Sequence, residues 1–414
     1  RSECRTWLAD ENRRRSISNG ENFRRDCCAF NIGDAAICSS GRHRKVVVAE
    51  IPADCKKSYS TRRVMKKLVL LVAILASVAI VACSSDSEEA TPVTVAPTAV
   101  PSTATSVPPT EVPEPDDVVV TLDWFQNANH VGVYEAVGKG YFEEENLNVS
   151  VVPPADPAAI LGLVATGESD FAFYYQPDLL QARQEGIPVV AVAGIVQRPL
   201  NSIMTLASSG ITEPGQLAGK KVGTPGLPWN DAMLDTMLKA DGASIDDVEV
   251  VDLGWNVSPG LMAGEVDAII GVYWTYESII MGNEGHETNV ISPDDWDVPS
   301  YYELVLVTSE DNVKNNPELV ERFVRAFNKG YAQAASDPQG SVDTMLELNP
   351  DAEIDEPTDR EGVELLAPLW KSEGAPVGSL SSDRWESLVE WMKGQDLLDD
   401  SQNAADAFDA SFSK

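Results

Sequence analysis

From Val118 onward, apolar and polar positions alternate between two periods. Val118–Trp124 is an apolar run of strand length, and Asn129–Tyr141 carries helical spacing that ends at Gly138 and Gly140. The alternation repeats through strands at Leu147–Val152, Phe171–Tyr174 and Val189–Ile195, with helices at Ala158–Ala165 and Asp178–Glu185 between them. A second series follows. It comprises a strand start at Gly219–Gly223, a helix at Asn230–Asp241, a strand at Val248–Leu253, a short helix at Pro259–Ala263 and a strand at Ala268–Val272. Another helix begins at Trp274, and Tyr302–Thr308 returns as a long apolar strand. The remaining segments, Pro317–Ala335, Asp359–Trp370 and Asp383–Met392, read as helices without strands of their own. Strands alternating with helices predict parallel sheets covered on both faces. Two α/β series followed by a returning strand predict two lobes, with the chain crossing between them near 205–210 and 298–304. Such a pair of crossings forms a hinge, and a ligand would lie in the cleft. The expected division is lobe 1 at 117–207, lobe 2 at 208–300, and a return to lobe 1 at 301–414.

Upstream the pattern is different. Leu68 to Ala82 is a stretch of fifteen apolar or small residues behind Arg62-Arg63-Val64-Met65-Lys66-Lys67, and Cys83 follows directly. A basic start, an apolar core and a small-residue exit make an export signal. The run is too short for a comfortable membrane span. Ile80-Val81-Ala82-Cys83 resembles a bacterial lipobox, which implies lipidation at Cys83 and a lipid anchor, with 65–82 as signal peptide. Residues 83–116 are rich in Ser, Thr, Pro, Val and Glu and lack aromatic residues. They cannot bury enough apolar surface to fold and are expected to form an extended tether. Residues 1–64 are expected to be an upstream extension outside the working protein, with Met65 the natural start.

Charge and cysteine divide at the same place. The chain has 31 Lys and Arg against 65 Asp and Glu. Residues 1–64 carry a net +6 and the remainder −40. So acidic a body repels nucleic acid and anionic membrane surfaces. Five of six cysteines precede residue 64, the sixth is Cys83, and only His130 and His286 follow residue 64. A thiolate nucleophile, a disulfide and a Cys-based metal site are thereby excluded from the folded part, and a zinc or iron site is not expected.

Ligands of open α/β sheets bind beyond the carboxyl ends of the strands. The segments following the strands are rich in Trp, Tyr, Asn, Gln, Gly and Pro, and contain no Lys or Arg. They are Trp124-Phe125-Gln126-Asn127-Ala128-Asn129-His130, Tyr174-Tyr175-Gln176-Pro177-Asp178, Gly223-Thr224-Pro225-Gly226-Leu227-Pro228-Trp229-Asn230, Gly254-Trp255-Asn256-Val257-Ser258-Pro259-Gly260 and Tyr273-Trp274-Thr275-Tyr276-Glu277. Aromatic faces suit a flat ring, amides read ring nitrogens and amino groups, and Glu277 is placed to accept from an exocyclic amine. A cleft without fixed cations suits phosphate and other strong anions poorly. Each residue also has a structural role open to it: Trp124, Trp229 and Trp274 as core, Asn127 and Asn129 as a cap and a turn, His130 as donor to a backbone carbonyl, Glu277 on a solvated helix face. Gly223–Gly226 lacks the Lys and Ser/Thr of a phosphate loop.

Several separated motifs, in order, resemble the NMT1/THI5-like solute-binding proteins. They are Thr121-Leu122-Asp123-Trp124, Asn127-x-Asn129-His130-x-Gly132-x-Tyr134, Gly140-Tyr141-Phe142, Tyr175-Gln176-Pro177-Asp178, Pro199-Leu200-Asn201-Ser202, Gly226-Leu227-Pro228, Gly271-x-Tyr273-Trp274-x-x-Glu277 and Tyr301-Tyr302-Glu303-Leu304-Val305. The resemblance spans about residues 118–400. It implies a type II periplasmic-binding-protein fold, no catalysis, no cofactor, and an ABC permease as partner. It further implies capture of a pyrimidine thiamine precursor of the formylaminopyrimidine or hydroxymethylpyrimidine type. Trp124, Tyr175 and Trp274 would supply ring contacts; Asn127, His130, Asn201 and Glu277 would supply hydrogen bonds. Gln176 and Trp229 join the candidate ligand set, although Trp229 stands where the family pattern varies. The competing solutes are alkanesulfonate, taurine, nitrate or another heterocycle. An enzymatic branch makes the phosphorylated pyrimidine using a Lys and a His in the segment matching 171–177 and a Cys-rich run near 298–304. Here Phe171–Pro177 holds neither Lys nor His, and Val298–Leu304 no Cys.

Overall fold

The computed structural model describes residues 30–32, 35–38, 47–50, 114–254 and 256–413. The expected export signal at 65–82, Cys83, nearly all of the expected tether and Trp255 lie outside them. The chain divides into two compact parts, Arg1–Ser106 and Val107–Lys414. In the first, strands β1 (Phe30–Ile32), β2 (Ala35–Cys38) and β3 (Val47–Glu50) pair antiparallel in that order. The upstream segment shows no such strand periodicity in its sequence, because runs of three or four residues are too short to display one.

The second part holds two five-stranded sheets of the same design. Lobe 1 is ordered β5-β4-β6-β13-β7, with β4 Asp116–Thr121, β5 Leu147–Val152, β6 Phe171–Tyr174, β7 Val189–Val196 and β13 Leu304–Ser309. Lobe 2 is ordered β10-β9-β11-β8-β12, with β8 Asn201–Leu206, β9 Lys221–Thr224, β10 Glu249–Asp252, β11 Ala268–Tyr273 and β12 Thr288–Ile291. The sheets are mixed, not purely parallel. In each, one strand runs against its neighbours: β13 is antiparallel to β6 and β7, and β8 to β11 and β12. That reversed strand is the first one laid down after the chain changes lobe. Because Asn201–Leu206 belongs to the second sheet, the first crossing is 197–200, several residues before the expected 205–210. The second passage occupies 292–303.

The reason β7 is apolar at every position lies at its outer edge. All eight of its residues are buried. The edge is covered by C-terminal coil: Ala191 N–H donates to Ala407 O at 2.9 Å, Asp409 N–H to Ala191 O at 2.8 Å, and Gly194 N–H to Gly378 O at 2.9 Å. The exposed edge strand β5 instead alternates buried and open positions.

Helices cover both faces of the lobe 1 sheet. On one face lie α1 (Val131–Gly138), the long α9 (Pro317–Ser336) and α11 (Glu356–Leu366); on the other lie α3 (Ile160–Thr166), α4 (Gln176–Gln184) and α12 (Ser382–Gly394). Helix α9 buries Val320, Phe323, Val324, Phe327, Gly330, Tyr331 and Ala334, the i, i+3, i+4, i+7 stripe of an amphipathic helix. Its Phe323 stacks on Phe171 at 3.9 Å between ring centroids. Where α9 crosses α1 only glycine fits, since a Cβ on Gly330 would lie 2.2 Å from the Gly132 carbonyl oxygen. Lobe 2 carries α5 (Pro228–Ala240), α6 (Val257–Met262) and α7 (Glu277–Asn283). The remaining helices, all short or peripheral, are α2 (Tyr141–Glu144), α8 (Glu310–Asn315) and α10 (Pro338–Leu348). Among the described residues, no helix is long and apolar enough to cross a membrane.

Candidate functional site

Between the lobes lies a cavity of about 1240 Å³. Both lobes and the second crossing contribute to its wall. From lobe 1 come Asp123, Trp124, Phe125, Asn127, Asn129, Tyr175 and Asp178; from lobe 2 come Asn201, Trp229, Asn230, Tyr273, Tyr276 and Glu277. Glu303 of the crossing reaches it too, and so does the segment Leu348–Glu353 with Asp355. Seven of these side chains are carboxylates, and among the described residues no Lys, Arg or His lines the cavity.

The loop after β4 is built by local hydrogen bonding. Asn127 caps a short 3-10 turn: its Oδ1 accepts from the Asn129 N–H and from Asn129 Nδ2, both at 2.9 Å. Its Nδ2 donates to Phe125 O at 2.9 Å. The Asn127 amide thus shapes the loop as a cap even though it borders the cavity. The cap also presents the Asn127 N–H to His130 Nδ1 at 3.2 Å. Accepting there places the His130 proton on Nε2, which donates to Asp123 Oδ1 at 2.8 Å. The other Asp123 oxygen accepts from the Tyr175 hydroxyl at 2.9 Å. His130 is completely buried, edge-on to Phe173, and does not line the cavity. It orients Asp123, which does.

Glu303 ties the hinge. Its Oε2 accepts from the Leu200 N–H at 2.7 Å, the Asn201 N–H at 3.0 Å and the Tyr301 hydroxyl at 3.1 Å, and its Oε1 from the Tyr273 hydroxyl at 2.9 Å. One carboxylate on the second crossing therefore holds the first crossing and a lobe 2 strand end. Burial raises its pKa, and the four donors oppose that rise. The Tyr273 N–H donates in turn to Glu277 Oε2 at 2.7 Å. Burial pushes the Glu277 carboxyl up to about 7 against two backbone hydrogen bonds. Desolvation by the surrounding wall likewise raises Asp178, which is open to the cavity, to about 6.

Of the nine ligand candidates read from sequence, the cavity wall includes Trp124, Asn127, Tyr175, Asn201, Trp229 and Glu277, and excludes His130, Gln176 and Trp274. Gln176 is buried, with Oε1 accepting from the Tyr302 N–H at 2.7 Å, and so anchors lobe 1 to the returning strand. Trp274 donates from Nε1 to Pro199 O at 3.2 Å, which pins β11 to the first crossing. Asn201 is partly committed: its Oδ1 accepts from the Gly271 N–H at 3.1 Å and its Nδ2 donates to Asn230 Oδ1 at 3.0 Å. Trp229 meets Tyr301 and Trp391 edge-on at 5.3 and 5.2 Å, so it is part wall and part core. Of the adjacent tyrosines at the end of β6, Tyr175 faces the cleft and Tyr174 packs into the opposite core. Sequence reasoning missed Asp123, Asn230, Tyr273, Tyr276 and Glu303 as site residues, although each lies within or beside a quoted motif. It had no signal for Leu348–Asp355, a loop far along the chain. Among the described residues, no group of three or more His, Cys, Asp and Glu is arranged to hold a metal.

The family described as NMT1/THI5 like matches residues 127–341. A formylaminopyrimidine-binding protein of Halalkalibacterium halodurans is 35% identical over 295 residues, which cover 71% of this chain and 89% of that protein. This chain belongs to the NMT1/THI5-like family. A riboflavin-binding protein of Chloroflexus aurantiacus is 29% identical over 358 residues, covering 84% of this chain and 98% of its own. A 4-amino-5-hydroxymethyl-2-methylpyrimidine phosphate synthase of Saccharomyces cerevisiae is 26% identical over 245 residues, 57% of this chain and 72% of that protein. Among solved structures, the alkanesulfonate-binding protein of Xanthomonas axonopodis pv. citri bound to MOPS superposes with a TM-score of 0.54 at 16% identity, covering 72% of this chain and 99% of that one. At that identity the likeness speaks to fold alone, and the fold is the type II periplasmic-binding-protein fold.

Proposed function

We propose that this family member is the solute-binding component of an ABC importer and that it captures a pyrimidine thiamine precursor of the formylaminopyrimidine or hydroxymethylpyrimidine type. The observation that carries this reading is the cavity wall: tyrosine and tryptophan faces, seven carboxylates and no side-chain cation among the described residues. A flat ring stacks on the former, and an exocyclic amine donates to the latter, with the Glu277 carboxylate the acceptor we assign to it. The 35% identical formylaminopyrimidine-binding relative supports the same ligand class. Closure of the lobes about 197–200 and 292–303 would exclude water from the ring. The loaded protein would then deliver to a membrane permease. Export and a lipid anchor through Cys83 belong to this proposal and rest on the signal-like segment before that residue.

Sulfonate, taurine and nitrate fit less well, because an anion entering this wall meets carboxylates with no compensating charge. A catalytic role has little support, since Phe171–Pro177 offers neither Lys nor His. A flavin is the second reading. It is favoured by a cavity of about 1240 Å³, large for a single pyrimidine ring, and by the riboflavin-binding relative.

Thermal unfolding with a ligand panel separates these readings. A ligand at 100 times its Kd adds about 2.7 kcal/mol of stability. Formylaminopyrimidine or hydroxymethylpyrimidine is expected to raise the Tm, and Glu277→Ala to abolish the rise. A rise with riboflavin alone, or with taurine or nitrate alone, would sink the pyrimidine assignment.

A further inference from the structure

The carboxylates of the cavity are not equivalent. Asp123 accepts from the side chains of His130 and Tyr175, Glu303 from two tyrosine hydroxyls and two backbone N–H groups, and Asp355 from the Thr358 hydroxyl. Asp178, Glu277, Asp351 and Glu353 remain, and among the described residues none of them pairs with a Lys or Arg. A second, independent feature points the same way. Asn129 is only 7% exposed, borders the cavity, and its Oδ1 is a buried acceptor without a partner. Such an atom is costly unless something brings it a donor. The mouth adds π-faces: Phe125 is 62% exposed and meets Trp124 edge-on at 5.7 Å. Uncompensated carboxylates, an orphan acceptor and open aromatic faces are complementary to one kind of ligand, a positively charged donor.

We propose that the cleft discriminates by charge, preferring an aminopyrimidine that carries a cationic substituent over a neutral one of the same shape. This rests on the pyrimidine reading and refines it. Glu277, with the more open Asp178 beside the Tyr175 loop, would hold the ring and its amine. The exposed pair Asp351 and Glu353 would draw the cation in, a long-range attraction that salt weakens. The raised carboxyls of Glu277 and Asp178 accord with this, since an arriving cation lowers both and releases protons.

The test compares two isosteres by titration calorimetry on the full chain at neutral pH. One is 4-amino-5-hydroxymethyl-2-methylpyrimidine, which is neutral at that substituent. The other bears an aminomethyl group there, an ammonium. The ammonium is expected to bind about tenfold tighter at low salt, with the gap narrowing as salt rises. Its binding should release protons, read as a heat that depends on the ionisation enthalpy of the buffer. D351N/E353Q changes only exposed loop positions and is expected to shrink the gap, and Glu277→Gln to shrink it further. Equal affinity for the two, or a preference for the alcohol, overturns charge selection and leaves the pyrimidine reading standing. A gap untouched by either variant overturns the assignment to these carboxylates. Binding of neither compound overturns charge selection, and if formylaminopyrimidine also fails to raise the Tm the pyrimidine reading falls with it.

Discussion

The two lobes repeat one strand order and differ in what covers it. In lobe 1 all eight residues of β7 are buried, whereas in lobe 2 no residue of β10 is. The lobe 1 faces are filled by rigid aromatic side chains, including Phe171, Phe323, Phe327, Trp370 and Trp385. The lobe 2 faces rely on Met233, Met237, Met204 and Met281, which are unbranched and adaptable. The cause lies in the chain after β13. Its helices α9, α11 and α12 return to lobe 1, so one sheet is wrapped on two faces and along one edge while the other is covered mainly by the helices of its own series. Trp391 on α12 touches Trp229 at the cavity wall, and this is where the wrapped lobe braces the lighter one. An equal fold can thus provide a stiff platform and a lighter jaw, depending only on where later helices dock.

Core truncations in each lobe test that contrast most strongly. Trp385→Ala in lobe 1 is expected to cost about 3–5 kcal/mol and Met237→Ala in lobe 2 about 2–4 kcal/mol. The distinguishing readout is hydrogen exchange. Met237→Ala should speed exchange in β8–β12 alone, while Trp385→Ala should lower protection throughout. Uniform loss in both variants would mean that the lobes open as one body.

The α1–α9 crossing comes next. Gly330→Ala places a methyl against the Gly132 carbonyl, and a loss of about 1–3 kcal/mol is expected in urea unfolding. A neutral result would show that α9 can slide, and the stiffness assigned to lobe 1 would have to be withdrawn.

The smallest effect is electrostatic and belongs to the cleft. Glu277 sits near 7 in the folded chain against 4.5 for the free carboxyl. The folded state therefore holds a proton that the unfolded state has released, and stability falls as pH rises from about 4.5 through 7. Asp178 and Asp359, each near 6, add to the fall at the lower end of that range. Glu277→Gln should flatten the slope by about 1–2 kcal/mol, allowing for water in the cleft. An unchanged pH profile would mean that Glu277 titrates like a free carboxyl, and the desolvated inner wall would be refuted.

Much of the framework was legible along the chain. Apolar runs such as Val189–Ile195 and, apart from Glu303, Tyr302–Thr308 read as buried strands because a doubly covered strand is apolar on both faces. β8, β12 and α10 were not legible. Asn201–Leu206 mixes polar with apolar residues, Thr288–Ile291 is four residues long, and Pro338–Leu348 shows a weak face. Pairing and packing partners far away define each of them.

For the site, the sequence by itself determined chemical character: loops without cations, rich in aromatic and amide groups, in the order of one family. Tertiary structure alone decided which of those side chains face the cavity. His130, Gln176 and Trp274 have ligand-binding chemistry but spend it on Asp123, the Tyr302 N–H and Pro199 O. Glu303 and the Leu348–Asp355 loop reach the cleft from segments more than a hundred residues beyond the first lining loop. Residue type is local, whereas the direction of a side chain follows from strand pairings and hydrogen bonds that join distant segments. The second kind of information exists only once the chain has folded.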